Sequence, residues 1–198
     1  MIVAAIMMAG FPATGKTFVA KKLINSFKET HQTFHTSSLD FREKFDLFAL
    51  ESNEQRNKVY DLLAGHVDQS IKQGSHEILI IDGNFNKRER RQKLYSVLKG
   101  CPIYIVKCTV SSEMIIEKIM EKRRENQHLP ENRAATMALY NLIKNNGDDI
   151  EKDELVKNGV INLIQFNSED NVIEKLNLSK ENDVGHITAK ISSIIEGM

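Results

Sequence analysis

Eight residues near the start constrain this chain more than any others. They are Gly10-Phe11-Pro12-Ala13-Thr14-Gly15-Lys16-Thr17, spaced as G-x-x-x-x-G-K-[ST], the Walker A pattern. Ile2 to Met8 before them is a continuous apolar run, as expected of a strand buried on both faces of a parallel sheet. After them Ala20, Leu23, Ile24 and Phe27 recur at helical spacing. A strand, a glycine-rich turn and a helix are therefore expected in that order. The chemistry needs this composition. Gly10 and Gly15 let the backbone curl so that its N–H groups point inward at phosphate oxygens. The helix N-terminus adds a partial positive charge beneath the anion. Lys16 is expected to reach the β- and γ-phosphates of a nucleotide, and Thr17 to offer its hydroxyl to Mg²⁺.

The rest of the chain alternates between the same two patterns. Gln32–Thr36 reads as a weak second strand, Ile78–Ile81 as a buried one ending at Asp82-Gly83, and Ile103–Cys108 and Val160–Phe166 as two more. Helices are expected over Val59–Ser70, closed by Gly74, and from Ser111 or Ser112 to about Arg124. Two more are expected, from Ala135 to about Asn146 and around Ile187–Ile195. Asp148–Asn158 is polar and reads as linker-like, its five acids as a solvated stretch. Strands alternating with helices imply an α/β fold with a parallel sheet flanked by helices on both faces. With 198 residues the chain suits a single domain.

Lys plus Arg number 27 and Asp plus Glu number 27, so the net charge is zero. That balance excludes a chain that coats DNA or anionic membrane by bulk charge, though not a local basic site. Met1–Ala9 is apolar but has no basic residue ahead of it and is too short to span a bilayer. Cys101 and Cys108 form no disulfide framework, so a reducing cytoplasm is the expected location.

Asp82, at the end of four aliphatic residues, is placed to orient Mg²⁺ directly or through water; its other reading is the start of a turn with Gly83. A guanine-binding N-K-x-D is missing. Its nearest matches, Asn86-Lys87-Arg88-Glu89 and Asn57-Lys58-Val59-Tyr60, lack the Asp, and there is no D-x-x-G. ATP is the expected nucleotide, and the small size favours a compact kinase-type domain.

Two further segments carry a resemblance. Asp82-Gly83-Asn84-Phe85-Asn86-Lys87-Arg88-Glu89-Arg90-Arg91 and Ser37-Ser38-Leu39-Asp40-Phe41-Arg42 resemble motifs of small P-loop kinases related to polynucleotide kinase and zeta toxin. Lys107–Arg124 resembles the strand and helix leading into their Arg-bearing lid. The likeness covers about residues 1–145. It implies a P-loop NTPase fold with a small helical lid, here about residues 121–135, and ATP-dependent phosphorylation of a hydroxyl. In that family an Asp of the D-D-x-R segment is the general base. Leu39 stands where the first Asp usually stands, so Asp40 remains. Asp40 takes over as base, or the register is shifted, or the activity is lost. The plain alternative for Asp40 is a helix-capping role.

By the same resemblance Arg42 holds the acceptor or its phosphate, and Arg90 is the acceptor residue of the basic run Lys87–Lys93. That run could equally be a solvated helix face. Arg123, Arg124 and Arg133 compete as the lid arginine that meets the transferring phosphoryl group, while a closed lid excludes water. The expected partners are ATP with Mg²⁺ and a hydroxyl-bearing acceptor, small, nucleotide-like or a nucleic-acid end. No membrane is involved, and a monomer or small homo-oligomer is expected. The alternative is a nucleotide-binding switch or regulatory ATPase with no acceptor.

Overall fold

In the computed structural model the strands line up side by side in the order β2-β3-β1-β4-β5-β6, five parallel and the last antiparallel to its neighbour. The strands are β1 (Ala4–Gly10), β2 (Thr33–Ser37), β3 (Ile78–Asp82), β4 (Ile103–Thr109), β5 (Val160–Asn167) and β6 (Val172–Asn177). The helices are α1 (Lys16–Phe27), α2 (Ser38–Lys44), α3 (Asn53–Gln73), α4 (Arg88–Val97), α5 (Glu113–Glu125), α6 (Met137–Asn145), α7 (Lys152–Lys157) and α8 (Gly185–Glu196). The structure describes residues 1–45, 53–126, 128, 136–170, 172–177 and 185–198. Arg133 and most of the expected lid tip lie outside them.

Every residue of β1 and β3 is buried, which is why both read as unbroken apolar runs. Alternate residues serve opposite faces. Met7, Leu79, Ile81 and Ile105 pack under Tyr60, Leu63 and Val67 of α3 and Leu94 of α4. Ile6, Met8, Ile80 and Val106 pack under Val19, Leu23 and Phe27 of α1 and Ile187, Ile191 and Ile195 of α8. Each such side chain contributes about 1.5–3 kcal/mol of transfer free energy, so the sheet and its two helical layers hold together without a staple. A smaller cluster of Ala13, Ile116, Met120 and Tyr140 seats α5 and α6 against the loop after β1.

The order places β1 between β3, reached through β2, and β4. The crossovers run to opposite sides of β1, which opens a crevice at the carboxyl ends of these strands. Gly10, Asp82 and Ser37 all end strands at that edge.

Three expectations are corrected. The first strand runs two residues further than Met8, directly into the turn glycine. A sixth strand, β6, pairs antiparallel with β5 and had no signal as clear as the others. Asp148–Asn158 is no linker. It carries α7, and Glu154 is fully buried against Arg91 of α4, with Arg91 Nε to Glu154 Oε1 at 2.6 Å and Nη2 to Oε2 at 2.8 Å. Arg91 also donates to the carbonyls of Phe85, Asp148 and Asp149. An acid reads as solvated in sequence until the partner that neutralises it, sixty-odd residues away, is known.

Candidate active site

The loop between β1 and α1 is shaped by three positive-φ residues, Gly10 (132°), Ala13 (65°) and Gly15 (80°). A side chain on Gly10 would bring its Cβ to 2.3 Å from the carbonyl oxygen of Cys108, so glycine is required there. Gly15 is the N-cap of α1, and Thr14 Oγ1 donates to the Phe11 carbonyl at 2.8 Å, holding the loop curled. Lys16 is buried and its Nζ donates to the Phe11 carbonyl at 2.5 Å. Burial pushes its pKa down to about 8; Asp82 and Cys108 work against that, while Arg123 and Arg42 add to it. The chemistry of a buried ammonium beside a helix N-terminus fits a polyphosphate.

Thr17 Oγ1 donates to Asp82 Oδ2 at 2.7 Å. Asp82 is buried at the end of β3, in register with Met8 of β1 and Ser37 of β2. A hydroxyl and a carboxylate side by side are hard oxygen donors, a set that fits Mg²⁺.

These groups floor a hollow of about 400 Å³. Its second wall is α2, whose start is fixed by a capping box. Ser37 Oγ accepts from the Leu39 N–H at 3.1 Å, and Asp40 Oδ2 accepts from the Ser37 N–H at 2.9 Å. The helical period then puts Ser38, Leu39 and Arg42 on one face, and all three line the hollow. Asp40 falls on the other side and is exposed. Ser38 is close enough to the Asp82-Gly83 turn that its Oγ would lie 3.4 Å from a Cβ on Gly83.

The third wall comes from α5 and α6. Arg123 is half-buried and lines the hollow with Leu139, whereas Arg124 is exposed and lines a separate depression with Glu117 and Thr136. The two lid candidates therefore face different ways. Arg90 is buried on α4, its guanidinium 4.7 Å from the centre of the Tyr60 ring and its Nε 3.4 Å from Asn57 Oδ1. It stands outside the lining of the hollow. Three others of its basic run are absorbed by acids: Arg88 pairs with Glu151, Arg91 with Glu154, and Lys93 with Asp61 at 2.5 Å.

Several lining residues carried no signal in sequence. Asn84 lines the hollow and is clamped by Tyr60, whose hydroxyl donates to the Asn84 carbonyl at 3.0 Å and accepts from its N–H at 2.9 Å. Phe18, 56% exposed, lies on the same wall as Lys21, an apolar ring left in solvent beside the phosphate loop. A hydrophobic residue just inside a helix reads as core, so only its exposure reveals it.

Comparison with known proteins bears on the fold. The candidate kinase of Chloroflexus aurantiacus shares 20% identity over 98% of both chains, with a TM-score of 0.62. Chaetomium thermophilum Kti12 in complex with ADP-AlF3 shares 13% over 98% of this chain and 96% of its own, with a TM-score of 0.63. The PezAT toxin-antitoxin structure from Streptococcus pneumoniae gives 14% identity, 99% and 86% coverage, and a TM-score of 0.51. At these identities the likeness is one of fold, a P-loop kinase-like arrangement. No curated protein matches the sequence closely enough to count as a relative. The AAA domain family profile AAA_33 matches residues 6–140, from β1 through Arg123 to α6. The chain belongs to the AAA_33 family of P-loop domains.

Proposed function

We propose that this protein is an ATP-dependent phosphotransferase. The observation that carries the reading is the convergence of Lys16, the Thr17–Asp82 pair and Arg123 on one hollow whose remaining wall, α2, is free to seat an acceptor. In this account the loop N–H groups and the α1 N-terminus hold the β-phosphate. Lys16 leaves the Phe11 carbonyl and pairs with the β- and γ-phosphates. Thr17 and Asp82 would hold Mg²⁺, which supplies charge neutralisation at the phosphates. Arg123 approaches from the lid side, where negative charge builds on the departing β–γ bridge oxygen. The acceptor rests against Ser38, Leu39 and Arg42, and one of its oxygens attacks the γ-phosphorus in line.

A second reading is a nucleotide-hydrolysing switch. The geometry that favours it is the outward turn of Asp40, which leaves Leu39 where the family's base stands. Incubation with γ-labelled ATP and Mg²⁺ over nucleosides, sugars, their phosphates and oligonucleotides separates the two. Label in an acceptor supports transfer, and label only in inorganic phosphate, unaffected by any acceptor, supports the switch.

A further inference from the structure

The wall that would seat the acceptor is cationic and carries no base. Leu39 presents an aliphatic side chain to the hollow. The Asp40 carboxylate is held outward by the Ser37 N–H, and the carboxylate of Asp82 is engaged by Thr17. Among the described residues, no other carboxylate lines the hollow. Among the described residues, a neutral alcohol there would find no side chain to take its proton as it attacks.

Arg42 presents the opposite circumstance. It lines the hollow half-buried, its Nε is shielded from solvent, and that atom has no hydrogen-bond partner. Among the described residues Arg42 makes no ion pair. Buried Arg90, with a ring and an amide as its neighbours, adds a second guanidinium near the same end, because the Tyr60 it stacks on also clamps Asn84 of the hollow. Burial, then Arg90 and Arg42, press down the pKa of Arg56, so these cations share one field. Shielded guanidinium N–H groups without an acceptor are costly unless an anion supplies one.

We propose that the acceptor is an oxyanion, a phosphate monoester or a carboxylate, held by Arg42 and attacking through an oxygen that is already ionised. This deepens the phosphotransferase reading and rests on it. The acceptor O⁻ forms a bond to the γ-phosphorus, the bond from that phosphorus to the β–γ bridge oxygen breaks, and its electron pair leaves on ADP. With ATP⁴⁻ and a dianionic monoester the products are ADP³⁻ and a trianionic anhydride, so no proton has to be removed. A carboxylate gives an acyl phosphate by the same balance. That is why a leucine can occupy the base position.

The test uses the full chain loaded with AMPPNP and Mg²⁺, so that the phosphate loop is filled. Inorganic phosphate, acetate and glycerol are titrated separately by calorimetry at pH 8. Binding of phosphate, or of acetate, with none of glycerol is expected, and which anion binds tells a phosphate from a carboxylate acceptor. Arg42→Gln, with AMPPNP still bound, weakens that anion about 10- to 100-fold. In transfer assays Leu39→Asp then gains label in neutral alcohols and loses it in the anionic members of matched pairs. Absence of anion binding to the loaded protein, binding indifferent to Arg42→Gln, or wild-type transfer to alcohols alone overturns the proposal while leaving the phosphotransferase intact. Failure to take up AMPPNP at all would instead count against the nucleotide site itself.

Discussion

Lys16 holds its charge at a cost, and the cost is what makes it responsive. In the free chain burial brings its pKa to about 8, so near that pH roughly half of the molecules carry the ammonium. Polyphosphate favours the charged form and raises the pKa. Nucleotide binding must then take up a proton above pH 8, and affinity must fall as pH rises through that range, because more molecules have to be protonated first. Calorimetry of magnesium-free ADP in buffers of different ionisation enthalpy measures this uptake; a value of zero at pH 8.5 contradicts it. Lys16→Met leaves the loop shape but removes the charge, and transfer should fall about 10²- to 10³-fold or more. Gly10→Ala acts differently. Its Cβ meets the Cys108 carbonyl at 2.3 Å, so the variant loses about 1–3 kcal/mol from the backbone conformation, before the clash, and melts earlier. Walker A was legible because its glycines and lysine fall at a fixed spacing within eight residues, between an apolar run and a helical stripe. Asp40 was not, because a capping box and a general base ask for the same residue type, and only helical phase decides which way it points.

At the scale of elements, α4 and α7 are joined by the Arg91–Glu154 pair, and through Arg91 to the Phe85 carbonyl just beyond Asp82. The strand end that carries Asp82 is thus braced by a segment that sequence alone presents as acidic and open. Glu154→Ala leaves a buried guanidinium unpaired and should cost about 3–5 kcal/mol, whereas Arg91→Met with Glu154→Leu should recover much of that loss. Thermal melting of the three proteins tests the pair; equal melting temperatures for Glu154→Ala and the parent would contradict it. The strands and most helices were legible because each buries an apolar stripe of its own. Helix α7 and strand β6 were not, since their burial depends on partners brought by the sheet rather than on their own pattern.

For the whole molecule, one strand order sets the site. Because β1 lies between β3 and β4, the phosphate loop, Asp82 and the start of α2 open on a common edge, and α5 brings Arg123 across it. No described helix is long and apolar enough to cross a membrane. The zero net charge averages over this arrangement. Arg88, Arg91 and Lys93 of the basic run are paired with acids of the chain, and Lys16, Lys21, Arg42 and Arg123 line the hollow. A neutral protein can in this way concentrate cations where phosphates react. The central claim is that this edge transfers the γ-phosphoryl group of ATP. The direct measurement is the fate of γ-label from ATP·Mg²⁺ with the parent and with Lys16→Met, over paired neutral and anionic acceptors. The account predicts labelled acceptor with the parent and a loss of at least about 100-fold in the variant. Label released only as inorganic phosphate, whatever acceptor is present, would contradict it.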